Sequence, residues 1–185
     1  MAPAGTLILL LLLATACREE GRAPGPASSE PAPLTLSGSG VGCLEVGAAF
    51  AGLPSECRIV ADRVVPGPEG TAERRIDVLV GAETVTATIV GDSIWRLDVT
   101  ARSVRTAQGL GVGTPAAELL ARTGSRIIGG EGRLFVTLPD LCGLSFELGP
   151  LPRELLALRP DRVAERLPPE TDISRVLVFG CRGRI

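Results

Sequence analysis

The chain contains no histidine, tyrosine, lysine or asparagine, and its aromatic residues are four phenylalanines and one tryptophan. Each absence closes a route to chemistry. Without histidine there is no Ser-His-Asp or Cys-His machinery, and without lysine no Ser-Lys dyad. No serine sits in a G-x-S-x-G elbow, Ser145 in G-L-S-F-E included. The glycine-rich stretches 38–42 and 109–113 lack the G-K-[ST] lysine and the third glycine of a dinucleotide fingerprint, so they read as helix-entry turns. A net charge of −2 and a pI near 5.3 argue against a nucleic-acid partner, and five scattered rings make a poor stacking platform. All 19 basic residues are arginine, which reads as base-composition bias in a GC-rich gene rather than as selection for anion-binding forks. Carboxylate pairs such as Glu131 with Asp140, or Asp92 with Asp98, stay formally open as acid and base. With 21 acids in the chain they read first as solvated turns, and no catalytic residue is assigned.

What is present begins with residues 6–16, TLILLLLLATA, a stretch of signal-peptide length and too short to span a bilayer. It ends in Ala14-Thr15-Ala16-Cys17, which resembles a bacterial lipobox. That resemblance implies cleavage after residue 16, acylation of Cys17 and a membrane anchor through the N-terminal lipid. Two departures stand beside it: Ala14 where leucine is usual, and no basic residue in MAPAG. The other reading is an ordinary A-x-A secretory site that leaves Cys17 a free thiol; both export the chain. Residues 17–40, rich in Pro, Gly and Ser without hydrophobic periodicity, read as a disordered tether. Arg18 after the cysteine, where Asp would retain a Gram-negative lipoprotein, implies the outer membrane or another envelope site facing the periplasm or exterior.

Four further cysteines, Cys43, Cys57, Cys142 and Cys181, form an even set behind an export signal and read as two disulfides. None forms a C-x-x-C pair and no histidine can complete a mixed site, so no metal and no cofactor is expected.

Residues 41–185 read as one α+β domain. Segments 76–80 (IDVLV), 84–90 (TVTATIV) and 93–99 (SIWRLDV) are strand candidates joined by short Gly-containing turns, hence an antiparallel meander. In the second, Val85, Ala87 and Ile89 alternate with threonines expected on the open face. Segments 133–138, 143–148 and 173–180 continue the sheet, the last apolar on both faces and so central. Residues 114–124 read as a helix, with Thr114 as N-cap, Pro115 at its first position and Gly124 beyond its end. A weaker counterpart is 48–53. Gly42-Cys43-Leu44-Glu45-Val46-Gly47, helix, then Cys57-Arg58-Ile59-Val60 parallels Gly109-Leu110-Gly111-Val112-Gly113, helix, then Ser125-Arg126-Ile127-Ile128. Residues 92–99 likewise parallel 172–178. This predicts two helix-then-meander repeats, about 41–101 and 105–181, sharing one sheet with short helices on one face. Phe135, Phe146, Phe179 and Trp95 lie on strand candidates and read as core, except that Ile94 and Trp95 cannot both face one side.

The pattern G-x-G-V-G-T-P-A-A-E-L-L-A-R-T-G after a lipobox and tether resembles small envelope lipoproteins, namely the SmpA/OmlA type of outer-membrane assembly lipoprotein and the tandem β-lactamase-inhibitor-like domains. The resemblance implies a helical entry packed on an antiparallel sheet and action by binding other proteins. Within that frame Cys142 and Cys181 fall at the same end of a strand pair, and Cys43 and Cys57 flank the first helix. The proline-rich insertion 149–171 is either a partner-contacting flap or a crossover lying on the sheet. The expected function is a non-enzymatic, lipid-anchored envelope module with a protein partner. The alternative is a periplasmic binder of a small or polymeric ligand on the sheet face, with Trp95, Arg96 and Arg175 as the binding residues. A two-carboxylate hydrolase comes third.

Overall fold

The computed structural model describes residues 34–67, 70–130 and 132–181. The leader, Cys17 and most of the tether lie outside the described residues, as does Glu131. Order begins earlier than the tether reading implied, because the alternation in Leu34-Thr35-Leu36 lets Leu36 enter the core while Thr35 stays outside.

Two sheets make up the fold. The smaller contains β1 (Thr35–Leu36), β2 (Gly40–Val41), β3 (Leu44–Glu45) and β8 (Arg105–Thr106), in the order β3-β2-β1-β8. The larger contains β4 (Arg58–Pro66), β5 (Ala72–Val80), β6 (Glu83–Val90), β7 (Ser93–Val99), β9 (Arg126–Gly130), β10 (Arg133–Thr137), β11 (Leu144–Leu148) and β12 (Ile173–Val178). Its order, β4-β5-β6-β7-β12-β11-β10-β9, is two four-stranded meanders joined through their last strands, β7 against β12, and every neighbouring pair is antiparallel. Short turns set this pattern: Gly81 and Gly91 take φ of 59° in the β5–β6 and β6–β7 connections, where only two residues separate the strands.

The fold is therefore mostly β, which corrects the α+β expectation. Among the described residues helix is confined to α1 (Ala116–Leu120), α2 (Arg153–Leu156), α3 (Pro160–Val163) and short 3-10 turns, one of which, Ala164–Arg166, continues α3. The first expected helix, 48–53, is a single 3-10 turn at Phe50–Gly52, because Gly52 and Pro54 stop it from propagating. The second stops after Leu120, since only Ala116 and Leu119 offer a buried face. Thr114 does not cap it; its hydroxyl instead accepts hydrogen bonds from the Gly111 amide (3.0 Å) and Arg105 Nη1 (2.9 Å).

One core lies between one face of the large sheet and the small sheet. Ile76, Val78, Val85, Ala87, Leu97, Val136, Phe146 and Val176 come from the first, and Leu36, Val41 and Leu44 from the second. The helices supply Leu119 and Val163 to the same core. Residues 149–171 thus cross over at the β9 side, where α3 packs, with Leu151, Leu158 and Leu167 against the core.

Both expected disulfides are present, Cys43–Cys57 (Cα–Cα 5.9 Å) and Cys142–Cys181 (5.3 Å). They place the folded chain in an oxidising, exported compartment. Backbone crowds the second: a Cβ on Gly38 would stand 1.9 Å from the Cys142 carbonyl oxygen, and one on Gly143 2.3 Å from the Gly38 oxygen. No helix among the described residues is long and apolar enough to cross a membrane.

Candidate functional site: the outer face of the large sheet

Strand register fixes which side chains share the face turned away from the core. Thr86 and Thr88 on β6 stand opposite Asp98 and Arg96 on β7, and Asp98 stands opposite Leu177 on β12. Leu177 and Arg175 pair with Ser145 and Glu147 on β11, Glu147 with Phe135 on β10, and Phe135 with Ile128 on β9. With side chains alternating along each strand, all of these occupy one surface. Phe135 and Leu177 are buried (7% and 5% exposed) yet belong to no part of the core cluster, which marks this as a separate packing surface.

A line of alternating charges crosses the join between the two meanders. Arg96 Nε donates to Asp98 Oδ2 (3.1 Å), and Arg175 Nη1 donates to Asp98 Oδ1 (3.0 Å). Arg175 Nε donates to Glu147 Oε2 (2.7 Å), and Arg133 Nη1 donates to Glu147 Oε1. Side-chain exposure is 7% for Arg96 and Asp98 and 5% for Glu147, rising to 24% for Arg175 and 55% for Arg133. The long guanidinium arms thus lie over the shorter carboxylates. Each carboxylate is held by two arginines through charge-assisted hydrogen bonds. Nearer the β4 edge, Arg63 Nη2 and the Thr86 hydroxyl both donate to Asp77 Oδ1 (3.0 and 2.7 Å). The hydrogen bonds from Arg63 hold the Asp77 carboxyl below its ordinary value of 3.8 against its partial burial, and the Thr86 hydroxyl adds to the lowering.

Beside the charges lies an aromatic cluster. The β6–β7 register shifts between Thr88 and Ile89, so that Trp95 is an extra residue, a β-bulge. Ile94 turns into the core (1% exposed) while Trp95, 40% exposed, shares the outer face with its neighbour Arg96, whose guanidinium carbon lies 5.4 Å from the Trp95 ring centre. Phe179 meets Trp95 edge-on at 5.7 Å. Together with Leu177, Phe135 and Ile128 these rings wall a cavity of about 200 Å³, into which Arg96 and Ser145 bring the polar groups.

The structure therefore gathers Trp95, Arg96 and Arg175 on one surface. It adds Asp98, which the sequence offers only as half of a possible carboxylate pair, and Glu147 and Arg133, which it offers only as unremarkable charges. Of the expected core aromatics Phe146 is in the core; Phe135, Phe179 and Trp95 are on the outer face. Of the candidate carboxylates, Asp98 is bound in the network while Asp92 is an exposed turn residue, and Asp140 pairs with Arg122 (3.6 Å), its expected counterpart Glu131 lying outside the described residues. Among the described residues no three His, Cys, Asp or Glu side chains converge as metal ligands.

No family model matches the chain, and no curated protein matches it. Among solved structures it is similar to the uncharacterized protein yfeY from Escherichia coli, with a TM-score of 0.56 and 16% identity over 78% of this chain and 99% of that one. The likeness establishes a shared fold.

Proposed function

We propose that this protein is a non-enzymatic, lipid-anchored module of the outer membrane or another part of the cell envelope, which binds a protein partner through the outer face of its large sheet. The observation that carries the reading is that face. It adds nothing to the core, yet it carries a five-member charge network, with Arg96, Asp98 and Glu147 buried, beside solvent-exposed Trp95 and Val90 (40% and 58% exposed). An aromatic anchor next to fixed arginines is the composition of an interface centre. Acylation of Cys17, from the lipobox-like Ala14-Thr15-Ala16-Cys17, supplies the anchor in this reading.

A photo-crosslinking residue at Val90, introduced in cells, is expected to capture one defined envelope protein, and Trp95→Ala to abolish the capture. The control is Val64, more exposed at 68% but placed by register on the opposite side of the sheet. Equal capture from both positions would sink the reading. Intact mass of the membrane-extracted protein should show diacylglycerol on Cys17; a retained leader would remove the anchor. The alternative of a ligand on this same face draws support from the cavity beside Trp95.

A further inference from the structure

We propose that the cavity beside Trp95 binds a single carboxylate carried on an aryl or short alkyl group. The inference rests on reading the outer face as the binding surface and names a ligand class for one part of it.

Charge comes first. From Arg133 through Glu147, Arg175 and Asp98 to Arg96, the network alternates sign and ends on a cation at both ends, three guanidiniums against two carboxylates. The two ends differ in surroundings. Arg133 is 55% exposed, so water serves its charge. Arg96 is 7% exposed, and its one ion pair, through Nε, is to an Asp98 that it shares with Arg175. Among the described residues no group accepts from the Arg96 terminal nitrogens. Those nitrogens are not among the buried atoms left unpaired, so they are open to solvent at the cavity, and a carboxylate entering it fits the fork in two parallel hydrogen bonds. One added negative charge completes the alternation and neutralises the network; a dianion would overshoot.

Shape and chemistry of the walls supply the rest. Trp95, Phe179, Phe135, Leu177 and Ile128 are apolar, so the group attached to the carboxylate is apolar too. A volume of about 200 Å³ is of the size that takes a benzene-like group, since dry cavities near 150 Å³ do so. It is too small for a drug-sized molecule, which needs roughly 300 Å³ or more. Ser145, which makes no side-chain hydrogen bond among the described residues, also lines the cavity and brings a further donor.

Trp95 is the chain's one tryptophan and lines the cavity, so its fluorescence reports on the site without mutation. Phenylacetate titrated into the full-length protein should give a saturable change. Phenylacetamide, equal in shape but neutral, and the Arg96→Gln variant should each bind about tenfold more weakly or worse. A second variant guards against misfolding at Arg96: a Cβ on Gly130 meets only Phe135 Cε2, at 3.8 Å, so Gly130→Val should fold, fill the cavity and abolish the response. Equal binding of phenylacetamide, tighter binding of phenyl phosphate, an unaltered titration in folded Gly130→Val, or no saturable response in the native protein would overturn the proposal. If phenylacetate fails while Val90 still captures its partner, the ligand falls and the binding face stands. If phenylacetate binds and Val90 captures nothing, the cavity stands without the protein partner.

Discussion

At the scale of single residues, burial decides which polar groups stabilise the fold and which burden it. Thr88 is 1% exposed and its hydroxyl has no hydrogen-bond partner among the described residues, whereas Thr86 two residues earlier donates to Asp77. An unmet buried hydroxyl costs free energy that a methyl of the same shape avoids, so Thr88→Val should stabilise by about 1 kcal/mol. Thermal unfolding checks this, and a lowered midpoint would show that the hydroxyl is satisfied after all. Asp77 and Asp62 work in the opposite direction. Hydrogen bonds from Arg63 and from Arg74 hold the two carboxyls below their ordinary value of 3.8. Because the folded-state values are depressed, their contribution is complete above that value and is lost as pH falls through the lower, folded one. Unfolding midpoints should therefore be insensitive to these two groups above about pH 5 and fall below about pH 4. Asp77→Asn should remove part of that acid slope, and a slope identical to that of the native protein would refute the assignment.

At the scale of elements, the outcome followed how much each segment alternates. β6 was legible because Val85, Ala87 and Ile89 recur at a period of two against threonines, and β12 because it is apolar on both faces and sits between β7 and β11. β4 was not legible as a strand: it is an edge strand, exposed along most of its length, so Arg58–Pro66 carries no alternation to read. Two-residue strands such as β1 and β3 are below the length at which any period exists. The helix at 114–124 is shorter than its punctuation suggests, since that punctuation encloses only two buried side chains. The site was half legible for a similar reason. Consecutive residues of a strand point to opposite faces, so Trp95 and Arg96 share a surface only through a bulge that has no sequence signature. Asp98, Glu147 and Arg133 became partners through register across strands far apart in the chain. One turn makes a sharp prediction at this scale. Gly38 lies between β1 and β2 with the Cys142 carbonyl oxygen 1.9 Å from where a Cβ would stand, so Gly38→Ala must push backbone apart beside the Cys142–Cys181 disulfide. It should destabilise by about 2 kcal/mol or more, where an ordinary turn Gly→Ala change costs about 1 kcal/mol or less. A midpoint equal to that of the native protein would place this turn elsewhere.

At the scale of the molecule, the question is whether two meanders joined through one pair of strands behave as one unit. Three ties bind them. The core is a single cluster to which Ile76, Val85 and Leu97 of the first meander and Val136, Phe146 and Val176 of the second all belong. The small sheet repeats the join, because β1, ahead of the first meander, pairs in parallel with β8, ahead of the second. The charge network forms the third tie: Asp98 on β7 accepts from Arg96 of its own half and Arg175 of the other. Loop closure by the Cys43–Cys57 and Cys142–Cys181 disulfides, spanning 14 and 39 residues, adds about 3 and 4 kcal/mol in the chain-entropy account, but each bridge lies within its own half of the chain. The disulfides therefore stabilise both halves without coupling them, and cooperativity depends on the core, the small sheet and Asp98. With the bridges intact, urea unfolding followed by Trp95 fluorescence, which senses the join, and by far-ultraviolet circular dichroism, which senses all strands, should give coincident curves. Asp98→Asn takes a buried charge from between two guanidiniums and should cost about 2–4 kcal/mol. If the halves are one unit, that loss shifts both curves together and leaves the slope m unchanged. A fluorescence transition that moves to lower urea ahead of the dichroism signal would show the first meander releasing alone, and the join would then be a contact between two folding units.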